Sequence, residues 1–211
     1  MQTLLKICGI TTPKNALEAV LEGAHFIGLV FHPKSPRFLS PSQAREITMI
    51  LSKTAASPVA IFTEHSAHEM VSICEECQIK TVQLHGERSR KEHVFLPPHF
   101  QRIYAIPASE YRHSIHENAM AVCDPGRDYL LIDHTHPGEG CSFDWRMFHY
   151  GHSFPWFLAG GLTPYNVGKA LQQLHPSGVD VSSGVESAPG VKESSLIKKF
   201  TQEVKQHDCH K

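Results

Sequence analysis

The 211-residue sequence lacks an excess of charge of either sign, because 20 Lys and Arg residues are matched by 21 Asp and Glu residues. The formal net charge is −1. A strongly basic field, which would indicate nucleic acid or an anionic membrane surface as a partner, is therefore excluded. Any phosphate group that binds here is expected to be held mainly by backbone N–H groups and a few side chains.

Long apolar runs are also missing from the sequence. No stretch approaches the roughly 18 to 20 apolar residues that a membrane-spanning helix needs, and no long apolar segment typical of a secretion signal follows the first residues. The six cysteines are scattered without such a signal. This pattern favours reduced thiols over a disulfide framework, so we expect a soluble cytoplasmic protein.

No Gly-x-Gly-x-x-Gly fingerprint follows the first predicted strand, which disfavours a dinucleotide-binding sheet. The chain instead alternates short apolar strands with amphipathic helices, in eight strand–helix units of about 26 residues each. The predicted strands are Leu4–Cys8, His25–Phe31, Pro58–Phe62, Ile79–Leu84, Phe100–Ile106, Asp128–Ile132, Phe154–Ala159 and Val179–Val181. The predicted helices are Pro13–Glu22, Pro41–Ser52, Ala67–Cys77, Glu87–Val94, Ser109–Met120, Phe143–His149, Pro164–Leu174 and Val191–Gln206.

This alternation predicts an α/β fold, a single (β/α)8 TIM barrel that spans residues 1–211 as one domain. The functional residues of such a barrel lie on the rim that the C-terminal ends of the strands form. Polar, cysteine and glycine residues at those strand ends are therefore the candidates for a site.

Two of these candidates suit proton transfer. Cys8 ends the first strand, just before the helix start at Thr11-Thr12-Pro13, and Asp133 ends the sixth. A thiol base and a carboxylic acid on one rim suit an isomerisation, and helix N-termini at that rim are expected to favour the thiolate. The alternatives are a core cysteine and a helix-capping or ion-paired aspartate.

The loops after the seventh and eighth strands are rich in glycine. Gly160 and Gly161 follow the seventh strand, and Ser183 and Gly184 follow the eighth. In barrels of this kind these two loops form a phosphate site, in which glycines let backbone N–H groups approach the anion. Ordinary turn glycines are the alternative, but the pair of loops favours a phosphate site made of these four residues.

Seven segments, in order along nearly the whole chain, resemble those of the phosphoribosylanthranilate isomerase family. Each segment alone is a weak signal, whereas seven in the right order are highly specific. They are KICGIT at Lys6–Thr11, GLVFHPKSPRFLSP at Gly28–Pro41, VQLHG at Val82–Gly86, LLID at Leu130–Asp133, GEGxSFDW at Gly138–Trp145, LAGGLTPYNV at Leu158–Val167 and DVSSGVESAPGVKE at Asp180–Glu193.

The resemblance implies an Amadori rearrangement in tryptophan biosynthesis. The substrate would be the small molecule N-(5-phosphoribosyl)anthranilate, and the product 1-(2-carboxyphenylamino)-1-deoxyribulose 5-phosphate. It implies no metal and no organic cofactor, no nucleic-acid or membrane partner, and a monomer or a homodimer.

The resemblance also implies roles for individual residues. Cys8 is the expected general base and Asp133 the expected general acid. The guanidinium of Arg37 is expected to bind the anthranilate carboxylate, since such pairs are planar and bidentate. Asp180 is expected to reach a sugar hydroxyl, and two further residues are expected to bind substrate, Gln83 and His85.

Three other interpretations stay open at this point. A different sugar-phosphate isomerase or epimerase is disfavoured, because two aspartates or metal-binding histidines are expected where the chain has Cys8 and Asp133. A non-catalytic sugar-phosphate-binding barrel is suggested only by the loop Pro137–Cys141, which departs from the family pattern. A zinc site at Cys74 and Cys77 lacks a second ligand pair at a usual spacing, so free thiols are expected there.

Overall fold

The computed structural model describes residues 2–111, 123–133, 145, 148–151 and 153–209. Eight strands pair in parallel, each with the next in the chain, and the first pairs with the eighth to close the barrel. The strands are β1 (Leu4–Ile7), β2 (Phe26–Val30), β3 (Ser57–Phe62), β4 (Thr81–Leu84), β5 (Gln101–Pro107), β6 (Tyr129–Asp133), β7 (Trp156–Leu158) and β8 (Gly178–Val181). The predicted (β/α)8 barrel is therefore confirmed.

The helices lie between the strands, as the alternation predicts. They are α1 (Pro13–Leu21), α2 (Pro41–Leu51), α3 (Ala67–Cys77), α4 (Glu87–Glu92), α5 (Val167–Leu174) and α6 (Ser194–Cys209). Hydroxyl side chains begin the first three: Thr12, Ser40 and Ser66 each accept a hydrogen bond from a backbone N–H of the first turn. Proline at the first helical position supports α1 and α2.

The strands are buried on both faces, which explains their continuous apolar runs. Alternate residues point to opposite sides of a strand, so one set packs against the helices and the other fills the barrel. The interior set forms a separate cluster in which Phe26, Tyr129 and Phe157 meet edge to face at centroid distances of 5.1 to 6.0 Å. Polar residues take over the interior positions toward the C-terminal ends of the strands.

The C-terminal helix begins later than the sequence predicts. The prediction Val191–Gln206 is wrong at its start, because Val191–Lys192 form a strand, β10, that pairs antiparallel with β9 (Glu186–Ala188). Gly190, at φ +82°, turns the chain between the two. α6 starts only after Glu193, whose carboxylate accepts from the backbone N–H of Ser195 at 3.4 Å.

The seventh predicted helix also starts late, at Val167 in place of Pro164. The side chain of Asn166 accepts from the Thr163 backbone N–H at 2.7 Å and donates to the Gly161 carbonyl at 2.9 Å. These two bonds hold a turn where the prediction has helix. Most of the predicted helices Ser109–Met120 and Phe143–His149, and the loop Pro137–Cys141, lie outside the described residues.

The segment before β1 is bonded to the C-terminal helix α6. Thr3 donates to the Asp208 carboxylate from its backbone N–H at 2.8 Å and from its hydroxyl at 2.6 Å. In the part of the chain that the structure describes, no helix has both the length and the apolar character needed to cross a bilayer.

Candidate active site

Cys8 lies at the C-terminal mouth of the barrel, directly after β1. Its backbone N–H donates to the Val181 carbonyl of β8 at 2.8 Å. A Cβ atom on Gly28 would lie 3.1 Å from the Cys8 sulfur and 2.9 Å from the Ile61 side chain. Gly28 lies two residues after Phe26 of the interior cluster on β2 and therefore faces the same side, so its missing side chain leaves room for the Cys8 thiol over the barrel interior.

A buried ion pair lies beneath this thiol. The Lys6 ammonium donates to Asp180 at 2.9 Å, and its side chain is fully buried while that of Asp180 is 9% exposed. Lys6 and Cys8 are two residues apart on one strand and therefore point to the same side. The sequence predicted Asp180 as a site residue but missed Lys6, which looks like an interruption of an apolar strand.

Burial raises the pKa of the Cys8 thiol, because the thiolate loses its hydration there. The Lys6 and Lys192 ammonium groups oppose this shift, whereas the Asp180 carboxylate adds to it. The expectation that the rim favours the thiolate is therefore wrong in its direction. Lys6 and Lys192 supply the positive charge that the ionised form needs.

Gln83, His85 and Asp133 form a connected row across the mouth. The Gln83 side-chain amide lies 3.0 Å from Nδ1 of His85, and Nε2 of His85 lies 3.4 Å from Oδ2 of Asp133. Burial lowers the pKa of His85 to about 4, and the nearby Lys6 lowers it further than Asp180 raises it. His85 is therefore neutral at pH 7. An amide N–H of Gln83 on Nδ1 leaves the imidazole proton on Nε2, where it faces the carboxyl group of Asp133.

Arg37 is held by a second buried cluster, formed with Glu186 and Lys192. Its Nε and Nη2 atoms each donate to Glu186 at 2.7 Å, and Lys192 donates to the same carboxylate at 2.7 Å. The Glu186 and Lys192 side chains are 4% and 0% exposed. The sequence predicted Arg37 but neither partner, since the hairpin that carries both was read in part as helix.

The two glycine loops pack directly against each other. Gly160 and Gly161 have φ values of +84° and +65°, which favour glycine. A Cβ atom on Gly184 would lie 1.8 Å from the Leu162 carbonyl oxygen, so only glycine lets the loops approach this closely. Ser183 begins the short 3-10 turn that contains Gly184. All four residues of the predicted phosphate site are thus brought to one part of the rim.

The two cysteines of α3 lie away from this mouth. Cys74 and Cys77 are fully buried free thiols, and burial raises the pKa of each, that of Cys77 to about 11. Cys77 donates to the Pro41 carbonyl at 3.4 Å. Among the described residues, no group of three or more His, Cys, Asp or Glu side chains is placed to hold a metal ion.

Comparison with known proteins identifies the family. Residues 5–203 match the family model described as N-(5'-phosphoribosyl)anthranilate (PRA) isomerase. The chain is 38% identical over 202 residues to the N-(5'-phosphoribosyl)anthranilate isomerase of Chlamydia felis, an alignment that covers 95% of this chain and 96% of the relative. The chain belongs to the PRA isomerase family.

Solved PRA isomerase structures share the barrel. The crystal structure from Thermotoga maritima superposes with a TM-score of 0.83 at 33% identity, covering 97% of this chain and 100% of the relative. A second PRA isomerase structure, in complex with reduced 1-(o-carboxyphenylamino)-1-deoxyribulose 5-phosphate, gives a TM-score of 0.80 at 32% identity over the same shares. These matches confirm the fold, the isomerase activity and the place in tryptophan biosynthesis that the seven segments imply.

Proposed function

We propose that this protein converts N-(5'-phosphoribosyl)anthranilate to 1-(2-carboxyphenylamino)-1-deoxyribulose 5-phosphate by general acid–base catalysis. The observation that carries the proposal is the arrangement of one acid and one base around a shared group of polar side chains. This group, the polar floor of the site, consists of Lys6, Asp180 and His85. Lys6 and Asp180 act electrostatically on both Cys8 and His85, and His85 lies beside Asp133. Cys8 and Asp133 thus border one polar pocket.

Asp133 acts first, as the general acid. It donates its proton to the furanose ring oxygen, the bond between that oxygen and C1' breaks, and the anthranilate nitrogen supplies the electron pair of the resulting iminium. The Nε2–H of neutral His85 faces the carboxylate that this step leaves behind. A hydrogen bond to the charged form stabilises it, so His85 assists the loss of the proton.

Cys8 acts second, as the general base. Its thiolate removes the proton from C2', and the electron pair of that bond moves to give a neutral enolamine, which tautomerises to the ketone. The thiolate must form against its burial, and the ammonium groups of Lys6 and Lys192 favour it.

The two ends of the substrate match the two remaining parts of the mouth. We propose that backbone N–H groups of Gly160, Gly161, Ser183 and Gly184 bind the phosphate, because these loops pack closely and carry left-handed glycines. Arg37 binds the anthranilate carboxylate through the edge of its guanidinium that Glu186 does not occupy. We propose that Asp180 binds a sugar hydroxyl and that Gln83 and His85, which contact each other, also bind the substrate.

The cellular compartment and the oligomeric state are part of the same proposal. Cys8 must stay a reduced thiol to act as a base, which suits the cytoplasm. One domain over residues 1–211, working as a monomer or a homodimer without a metal or organic cofactor, suffices for this mechanism. A dimeric relative is known, since one solved structure is of monomers generated from the dimeric phosphoribosylanthranilate isomerase of Thermotoga maritima.

Turnover of PRA, generated in situ and followed by the loss of its anthranilate-type fluorescence, tests the proposal. Cys8→Ala and Asp133→Asn should each lower kcat by at least about 10²-fold, the usual contribution of an acid or base. Cys209→Ser, at the exposed end of α6, is the matched thiol control and should keep the parent kcat. Parent-like turnover by Cys8→Ala or Asp133→Asn contradicts the assigned roles, and an inactive parent that binds the reduced product analogue shows a binding protein.

A further inference from the structure

The two hydrogen bonds between Arg37 and Glu186 involve only one edge of the guanidinium group. A guanidinium has five N–H donors, and Glu186 takes one on Nε and one on Nη2. Arg37 makes no hydrogen bond through Nη1 to any residue that the structure describes, and its side chain stays 14% exposed. The edge made by Nη1 and Nη2 therefore remains available for a second, planar carboxylate.

The aliphatic part of the Arg37 side chain is also closely packed. A Cβ atom on Gly9, which has φ +71°, would lie 2.4 Å from Cδ of Arg37, so the stem crosses the backbone next to Cys8. A Cβ atom on Gly190 would lie 2.6 Å from the carbonyl oxygen of Pro36. The residue before Arg37 is therefore packed against the hairpin that carries Glu186.

The charge of this cluster also favours an anionic partner. Two buried or half-buried cations, Arg37 and Lys192, share the single carboxylate of Glu186. Lys192 has its other contacts with Ser182, donating to the carbonyl at 3.0 Å and to the hydroxyl at 3.4 Å. One positive charge of the cluster thus has no anionic partner, and a substrate carboxylate on the open edge of Arg37 supplies it.

We infer that Glu186 is a positioning residue, which holds the guanidinium of Arg37 side-on so that its open edge selects substrates whose aryl group carries a carboxylate. The inference rests on the role proposed above for Arg37. A free arginine would lose rotamer freedom on binding, whereas Arg37 is oriented before the ligand arrives. Glu186 therefore contributes to affinity for the carboxylate without touching the substrate.

The test compares two ligands that differ only in this group. The dissociation constant is measured for the reduced product analogue and for the same compound without the ring carboxylate. The parent should prefer the carboxylated ligand by about tenfold to a hundredfold, as a charge-assisted pair allows. In Glu186→Gln this preference should fall to about a third or less of the parent value, with the affinity for the carboxylate-free ligand retained.

Two further variants keep the result interpretable. Glu186→Gln leaves two cations without their carboxylate, which can unfold the protein. The double variant Glu186→Gln/Lys192→Met removes one cation with the anion, preserves the net charge of the cluster, and should show the same loss of preference. Lys192→Met alone removes one positive charge but keeps both Arg37–Glu186 hydrogen bonds, so it should keep more of the parent preference than the double variant.

Each way in which the inference can fail gives a different result for the preference between the two ligands. An unchanged preference in both Glu186 variants shows that Glu186 is only structural. Tighter binding of the carboxylated ligand shows that Glu186 competes with the substrate for Arg37, which also overturns the inference. A preference that survives in Arg37→Met refutes the proposed role of Arg37 itself, independently of Glu186. On the kinetic side, Glu186→Gln should raise KM for PRA and leave kcat close to the parent value.

Discussion

His85 places Nε2 at 3.4 Å from Oδ2 of Asp133, and the imidazole that faces this carboxyl group is neutral. A protonated imidazole would stabilise the Asp133 carboxylate before catalysis and so keep the proposed general acid ionised. A neutral imidazole supplies one N–H and no charge. The Gln83 amide nitrogen beside Nδ1 favours the tautomer that carries its proton on Nε2, which faces Asp133.

The depressed pKa of His85 predicts a pH dependence of folding stability. The folded pKa is about 4, below the ordinary value of about 6.5, so the unfolded chain binds more protons between these two values. Stability from this group is complete above pH 6.5 and is lost as the pH falls toward 4, by up to about 3 kcal/mol. Urea unfolding across this range measures it.

A variant of an exposed histidine serves as the matched control for a variant of His85. His85→Gln should flatten the fall in unfolding free energy between pH 6.5 and 4, whereas His68→Gln, at an exposed position of α3, should keep the parent slope. Equal slopes in the parent and in His85→Gln contradict the assignment. A direct check is the His85 nitrogen chemical shift, which should report the neutral imidazole at pH 6.5 and the onset of protonation only as the pH approaches 4.

Lys6 predicts a second pH dependence, this time of catalysis. Because the thiolate of Cys8 is the proposed base and burial raises the pKa of the thiol, kcat/KM should increase with pH toward and beyond the ordinary thiol range. In Lys6→Met the Cys8 thiolate loses the cation that stabilises it most. The rising part of the pH profile of kcat/KM should therefore shift to higher pH by about one unit or more. The pH profile of kcat/KM measures this shift.

A substitution of Lys6 also leaves Asp180 as a buried, unpaired carboxylate. The double variant Lys6→Met/Asp180→Asn removes both charges and separates the loss of stability from the effect on the thiol. If both variants lower activity but the rising part of the pH profile of kcat/KM stays at the parent pH, Lys6 has a purely structural role.

Local sequence pattern predicts the barrel well, because each strand is buried on both faces and α1, α2 and α3 each begin at a hydroxyl cap. The runs around Phe26 and Leu130 are continuous and apolar for this reason. Strand ends then define the rim, so Cys8, Asp133 and the glycine loops follow from the order of the elements.

The residues that the sequence missed are those whose partners lie far along the chain. Lys6 is paired with Asp180 across 174 positions, and Arg37 with Glu186 across 149. No local period links such pairs. The pKa direction of Cys8 was also out of reach, since burial and three neighbouring charges of both signs decide it only in three dimensions.

The close packing of the glycine loops predicts opposite effects for two glycine substitutions. Gly184→Ala places a methyl group 1.8 Å from a backbone oxygen, so the free energy of unfolding should fall by about 2 kcal/mol or more. Gly168 lies in α5, where a Cβ atom would find its nearest neighbour, a Glu203 oxygen, at 3.5 Å. Gly168→Ala should therefore stabilise the fold by about 0.5–1 kcal/mol.

Both glycine variants are measured by urea unfolding, and their affinity for the reduced product analogue is determined in parallel. Gly184→Ala should also weaken binding, because the loops that it separates are the proposed phosphate site. A Gly184→Ala protein with parent stability and parent affinity would show that the loops rearrange at no cost.

The free thiols predict an order of chemical reactivity. Cys209 is exposed, whereas Cys74 and Cys77 are fully buried and their thiols have raised pKa values. Iodoacetamide should therefore label Cys209 first, and label the two α3 cysteines only when the protein unfolds. Mass spectrometry after short exposure measures this order, and equally rapid labelling of Cys74 in the folded protein contradicts the burial.

The Lys6–Asp180 pair also bears on how the protein matures during synthesis. The first strand is made early, but its charged residue meets its carboxylate only when the eighth strand closes the sheet, 174 residues later. Until then the emerging chain carries an unpaired strand edge at β1 and an ammonium group with no place in an apolar interior. The polar floor of the site and the last seam of the barrel therefore form in the same event, so a ribosome-bound chain that ends before β8 has neither a closed sheet nor a catalytic pocket.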